Sequence, residues 1–267
     1  SSGSAAGVAA GLCALASGTD GGGSIRAPAS FCGVFGIRPT LGRVPRYMGA
    51  SPRYVTNQFS QAGPITRTVG DAALMLGVIA GYDRRDPDAS RLPVPDYASA
   101  LKSGIDGLRI AYSPDYGYAT VNPEVAESVE NAVRALEGLG TVVELVDLDC
   151  SAAFEAYWPG ICANQYAGAA GKFESRGEEL TPETYRVYEY GSRLTAEEYT
   201  LSLGAMDQLK ARFDDLFECY DLLVSPTMPT TAFQIGEPIV SVRPPHDERM
   251  WGFPAHTPFT FPINAIG

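Results

Sequence analysis

The segment Gly18-Thr-Asp-Gly-Gly-Gly-Ser24-Ile-Arg26 constrains this chain more than any other. Three consecutive glycines let the backbone turn where any side chain would clash, and they disfavour a regular helix or strand. Residues 17–24 are therefore expected to form a sharp loop. A run of peptide N–H groups aimed at one point makes an anion nest. Ser24 follows that run directly, so the anion is either a phosphate or a tetrahedral oxyanion.

The phosphate motifs fail on required residues. Gly18 and Gly23 have the P-loop gap, but Ser24 stands where lysine is needed. A dinucleotide fingerprint requires glycine at 26, where Arg26 sits. The elbow Gly-x-Ser-x-Gly fails at the same residue. The oxyanion reading remains, with Ser24 as nucleophile and its own loop supplying donors, each worth roughly 3 kcal/mol in acyl transfer. The alternative is a glycine-rich turn that only lets two elements pack.

Composition narrows the classes further. The 267 residues suffice for one large domain or two small ones, and 45% hydrophobic with 19% charged residues argues against long disorder. A net charge of −11 without basic clusters makes a poor nucleic-acid binder, so no nucleic-acid partner is expected. The longest apolar run, Val8 to Ala16, is too short to span a bilayer, so no membrane partner is expected. Cys13, Cys32, Cys150, Cys162 and Cys219 are scattered without a CxxC pair, which argues against a zinc ribbon, a dithiol site or a disulfide framework. A reducing, cytoplasmic location is expected. The two histidines, His246 and His256, are too few for a His-rich metal site or most Ser-His-Asp schemes. The chain opens on Ser1 without methionine and stops in an apolar stretch, Phe259 to Gly267. We read it as the middle of a longer protein.

Local signals predict an α/β chain. Small residues over 4–16 predict a helix or strand buried against close neighbours, with Ser4 a candidate cap. Val69, Ala72, Ala73, Leu76 and Ile79 predict a helix over 68–81, with Asp71 in its first turn. Gly107 to Tyr112 reads as a buried strand. Asn122-Pro123 opens a helix that Gly138 and Gly140 end, and Thr141 to Leu148 reads as a second strand. Residues 152–217 look helical with a break at Thr181-Pro182, Tyr220 to Pro226 runs from strand into loop, and 226–258 is proline-rich loop. Arg38-Pro-Thr-Leu-Gly-Arg43 reads as a basic turn, and 83–95 as a surface excursion.

Ser1 to Leu12, Gly18 to Gly33 and Gly36 to Arg43 together resemble the core of the amidase signature family. Gly63-Pro-Ile-Thr-Arg-Thr-Val69, Asp71-Ala-Ala, Tyr220 to Thr227 and Phe259 to Asn264 continue the resemblance in order. It implies a mixed β-sheet covered by helices on both faces. The chain is then a single amidase-type domain over 1–267, with a core motif in 1–82 and a helical, substrate-facing region in 83–267. It implies an amide hydrolase with a Ser, cis-Ser, Lys triad, acting on a carboxamide, anilide or carbamate through an acyl-enzyme. Ser24 matches the acylating serine. The amides of Gly21, Gly22, Gly23 and Ser24 match the oxyanion hole, and Asp20 and Arg26 match residues that brace the loop. The resemblance puts the bridging serine just ahead of Ser1, so Ser1 fits that role only if the intervening loop is one residue shorter. It puts the lysine far upstream, since Lys102, Lys172 and Lys210 match no motif. No metal or organic cofactor is implied. The expected partner is a small-molecule amide, and a homodimer stays open as the assembly. Two other readings stay open: a glutamine-hydrolysing component of a transfer-RNA amidotransferase, and a non-catalytic binding module.

Other candidates carry less. Ser99-Ala-Leu-Lys102 has the Ser-x-x-Lys spacing but lacks its partner motifs. Cys162 has no histidine nearby in sequence and reads as a buried structural thiol. His246 and His256 sit in the proline-rich loop, with packing or solvent roles favoured over substrate contact. Tyr47, Tyr54, Phe59, Trp158 and Trp251 are aromatics outside regular periodic elements. We assign Tyr47, Tyr54, Trp158 and Trp251 to the walls of an apolar substrate pocket.

Overall fold

The computed structural model describes residues 1–47, 58–169, 171–235 and 256–267. The chain is α/β, and the described strands divide between two three-stranded sheets. One is antiparallel, with β3 (Gln61–Thr66) between β1 (Leu15–Asp20) and the two-residue β2 (Phe35–Gly36). The other is parallel, with β4 (Arg109–Tyr112) between β5 (Val142–Leu145) and β6 (Leu222–Val224).

The antiparallel sheet positions the glycine loop. Helix α1 (Ser2–Ala9) places Ala5 and Val8 against Ile25 and Ile65, all four fully buried. Small side chains let this helix approach closely, as the sequence suggests. The cap is Ser1 rather than Ser4. The expected loop over 17–24 is corrected: Ser17 to Asp20 are strand residues, paired with Pro64 to Gln61. Pairing with a partner some forty residues away overrides the weak strand preference of these residues. Only Gly21 to Ile25 lie between β1 and helix α2 (Arg26–Cys32).

Helix α3 (Val69–Ile79) starts where Thr68 accepts the Asp71 N–H at 3.1 Å. The short α4 (Tyr97–Ala100) is capped by Asp96. Asn122 caps α5 (Pro123–Gly138), which connects β4 to β5, the usual route between parallel strands.

The large core is built on α6 (Ala153–Ala169). After the short α7 (Lys172–Arg176), Thr181 caps α8 (Pro182–Arg193), and α9 (Ala196–Cys219) follows. The helical stretch is therefore broken not only at Thr181-Pro182 but also ahead of α7 and at Leu194-Thr195, where Thr195 and Glu198 form a capping box. Helices α6 and α8 approach so closely that a Cβ on Gly191 would lie 2.5 Å from the Cys162 carbonyl oxygen. The apolar stretch at 259–267 forms a last helix, α10 (Phe261–Ile266), packed on α6 and α9. Among the described residues no helix is long and apolar enough to cross a membrane.

Candidate active site

Asp20, the last residue of β1, organises the glycine loop from a fully buried position. Its carboxylate accepts the N–H groups of Gly23 at 2.8 Å, Ile25 at 3.2 Å and Arg26 at 3.3 Å. The Arg26 guanidinium grips both carboxylate oxygens at 2.9 Å, in the fork geometry that makes such pairs strong. Burial by itself pushes the Asp20 pKa up. The hydrogen bonds and charge of Arg26, with a further bond from Asn264, outweigh it and hold the carboxyl well below the usual carboxylate range. Asp20 is therefore a fixed anion and a poor proton acceptor.

Three side chains secure the loop from behind. Asn264 Nδ2 donates to the Asp20 carbonyl at 3.0 Å, the Asp20 carboxylate at 3.0 Å and the Phe59 carbonyl at 2.9 Å. The Tyr157 hydroxyl donates to the Gly21 carbonyl. The Thr260 hydroxyl donates to the Gly22 carbonyl at 2.7 Å. No sequence feature assigns any of them this role, although Thr260 and Asn264 lie in the stretch Phe259 to Asn264 that carries part of the family resemblance. Asn264 stands out only as a polar residue in the apolar run Phe259 to Ile266.

The amides fall into two groups. The Gly23 N–H is committed to Asp20, which corrects its expected place among the oxyanion donors. Gly23 instead makes the turn, at φ +129°, and a Cβ there would sit 2.4 Å from Thr260 Oγ1. The N–H groups of Gly21, Gly22 and Ser24 have no acceptor among the described residues. Ser24 itself is exposed, just ahead of α2, while Gly22 and Gly23 are buried.

Ser1 does not project as a free hydroxyl. Its Oγ accepts the Thr19 N–H at 2.9 Å and donates to the Thr19 carbonyl at 3.1 Å, so it fastens the start of α1 to β1. Arg38 is no surface turn residue. Its Nη1 donates to the Gly267 carbonyl at 3.2 Å, while its buried Nε and Nη2 have no hydrogen-bond partner among the described residues. Burial, and then the nearby Arg26 charge, lower its pKa to about 10.

The aromatic assignments change. Trp158 is 1% exposed and stacks on Phe154 in the main core, and Phe59 lies in the same core, so neither lines an open pocket. Tyr47 is exposed and carries the Arg85 guanidinium 5.1 Å over its ring. Tyr54, Trp251 and His246 lie outside the described residues; His256 is half-buried. Cys162 is buried, and burial pushes its thiol pKa up, which disfavours a thiolate nucleophile. The Ser99 hydroxyl donates to the cap residue Asp96, and Lys102 is exposed. Lys210 pairs with Asp214 one turn along α9. A cleft of about 500 Å³ touches Arg26 and Thr260 and is walled by Phe213, Phe217, Leu223 and Ile263. Ser24 is not among its lining residues. No group of three metal-ligating side chains occurs among the described residues.

The loop thus presents an exposed serine beside unclaimed amides and is braced by the Asp20–Arg26 ion pair. Residues 1–267 match the Amidase family, and the chain belongs to it. It is 41% identical over 261 residues to a glutamyl-tRNA(Gln) amidotransferase subunit of Moorella thermoacetica, covering 89% of this chain and 53% of that protein. Among solved structures it resembles a bacterial aryl acylamidase of the amidase signature family, with a TM-score of 0.79 and 29% identity, covering 87% of this chain and 49% of the other. It also resembles the corresponding glutamyl-tRNA(Gln) amidotransferase subunit of Thermotoga maritima, with a TM-score of 0.75 and 28% identity, covering 99% and 56%. The chain spans about half the length of the relatives it matches.

Proposed function

We propose that this chain supplies the nucleophile and oxyanion-binding half of an amide hydrolase. The observation that carries the reading is the exposed Ser24 beside the unclaimed amides of Gly21, Gly22 and Ser24. Ser24 Oγ attacks the substrate carbonyl carbon, and its proton passes to a base. The developing oxyanion is bound by the free N–H groups, fixed dipoles that need no reorganisation as charge appears. The C–N bond breaks, the amine leaves with the proton, and water hydrolyses the resulting serine ester. Asp20 is too strongly held as an anion to be the base. Ser1 spends its hydroxyl on Thr19, and Lys102 is exposed and Lys210 paired with Asp214. We assign the proton relay to the upstream serine and lysine that the family resemblance implies.

Full-length gene product assayed on p-nitroacetanilide tests the reading. Hydrolysis is expected to fall more than about a thousandfold in Ser24→Ala. An equal rate in that variant sinks it.

A second reading makes glutamine the substrate, within a transfer-RNA amidotransferase. The 41% identity to a glutamyl-tRNA(Gln) amidotransferase subunit favours it. Ammonia release from glutamine, with the anilide left intact, selects this reading over the first.

A further inference from the structure

Three glycines in succession have the most mobile backbone a chain can offer, yet an oxyanion hole needs its donors fixed before the reaction. The contacts behind the loop supply that order through peptide geometry. In a trans peptide the carbonyl of one residue and the N–H of the next lie in one plane and point in opposite directions. A hydrogen bond to a carbonyl therefore aims the following amide. Asn264 holds the Asp20 carbonyl, which aims the Gly21 N–H. Tyr157 holds the Gly21 carbonyl, which aims the Gly22 N–H. Thr260 holds the Gly22 carbonyl, and the Gly23 N–H opposite it lands on Asp20 at 2.8 Å. Of these three planes, the first two leave their N–H groups unclaimed among the described residues, facing away from the side chains of α6 and α10 that hold them.

We propose that Tyr157 and Asn264 are positioning residues that set the direction of the two glycine oxyanion donors, Gly22 and Gly21; this rests on the reading of Ser24 as nucleophile. Tyr157 is the sharper of the two. Its ring is fully buried, with Phe59 edge-on at 5.1 Å and Phe261 at 5.5 Å between ring centres, so it has no room to swing off the Gly21 carbonyl. Burial raises its phenol pKa well above the usual value, so it remains a neutral donor through the neutral range. Asn264 has two N–H bonds for three acceptors and also accepts from Arg26 at 2.5 Å, so it links the Gly21 plane to the Asp20–Arg26 pair.

The test is Tyr157→Phe in the full-length gene product, with Tyr116→Phe as control. Tyr116 is also buried and accepts a hydrogen bond from Ser225, but among the described residues its hydroxyl bonds no carbonyl of the glycine loop. A mis-aimed donor costs less than a deleted one, for which roughly a hundred- to a thousandfold is usual. Y157F is therefore expected to lower kcat on the anilide about ten- to a hundredfold, with KM changed less than about twofold. Affinity for a trifluoromethyl ketone, which forms a tetrahedral adduct on Ser24, is expected to fall by a similar factor. Y116F is expected to lose stability without either change. Unchanged kcat and ketone affinity in Y157F overturn the proposal while Ser24-dependent hydrolysis stands. Undiminished hydrolysis by S24A overturns the reading beneath it and the proposal together. If Y157F does not fold, 3-fluorotyrosine at 157 keeps the ring and alters donor strength. A shift in kcat and ketone affinity then supports the proposal, and no shift overturns it.

Discussion

Asn264 donates to both the carbonyl and the carboxylate of Asp20, each at 3.0 Å, across 244 positions of sequence. The last helix of the chain thereby braces the residue that shapes the nucleophile loop. Asn264→Ala removes hydrogen bonds to the Phe59 carbonyl, to the Asp20 carbonyl and carboxylate and to the Arg26 guanidinium inside the core. A buried group left unsatisfied costs about 1–3 kcal/mol. Urea titration is expected to show N264A destabilised by about 3 kcal/mol, at the upper end of that range. A change under about 0.5 kcal/mol would mean that water or a neighbour replaces the amide.

The held-down pKa of Asp20 makes stability depend on acid. The unfolded chain titrates this carboxyl near its ordinary value, about 3.9, and the folded chain titrates it lower. Above that pH both states are ionised and the stabilisation is complete. As pH falls through the unfolded value, the unfolded chain takes up the proton first and stability drops, until the folded carboxyl also protonates. Asp20→Asn is expected to be less stable at pH 7 by about 2–3 kcal/mol, because it leaves the partly buried Arg26 without its carboxylate partner. It is also expected to lose stability less steeply between about pH 4 and 2, the unfolding transition taking up about one proton fewer. Parallel curves for the two proteins would remove Asp20 as the acid-sensitive group.

What is legible in the sequence follows the range of each signal. Asn122-Pro123, Thr68 with Asp71, and Thr181-Pro182 are caps written within a few residues, and their helices start there. Thr195-Ala-Glu-Glu198 is an equally local capping box, and it marks the break between α8 and α9 that periodicity alone misses. Strand β1 is hidden because its partner is β3, so glycine-rich propensity points to a loop instead. The glycine run and the Asp20–Arg26 spacing mark the site, but the groups that hold it come from Tyr157, Thr260 and Asn264. Nothing local in a sequence says which carbonyl such side chains reach. Arg38 misleads for the same reason, since a basic residue before proline looks like surface until the core closes over it.

Gly23 is the residue of the loop whose replacement fails on two counts. Its φ of +129° lies where side chains are strained, and a Cβ would sit 2.4 Å from Thr260 Oγ1. Gly23→Ala is expected to destabilise the fold by about 2 kcal/mol or more and to lower kcat sharply. In a double-mutant cycle, Thr260→Ala is expected to recover part of that loss by removing the clash but leaving the backbone strain. Additive losses would show that the two residues do not collide.

Trp158 offers the clearest choice between a pocket wall and a core residue. Its ring is 1% exposed, lies 5.5 Å from Phe154 in a near-parallel stack, and belongs to the same cluster as Tyr157, Phe213 and Phe261. Removing such a ring leaves a cavity that the surrounding helices close only in part, at a cost of about 3–5 kcal/mol. Trp158→Ala is therefore expected to lower the melting temperature by several degrees or more. A core residue acts on every substrate alike, whereas a pocket wall discriminates between substrates by about 1–3 kcal/mol. The measurement is the ratio of kcat/KM for a bulky aryl amide to that for a small aliphatic amide, taken below the melting transition of the variant. The ratio is expected to stay within about threefold of wild type. A shift of tens of fold with an unchanged melting temperature would return Trp158 to the substrate pocket, and would mean that the ring becomes accessible when substrate binds.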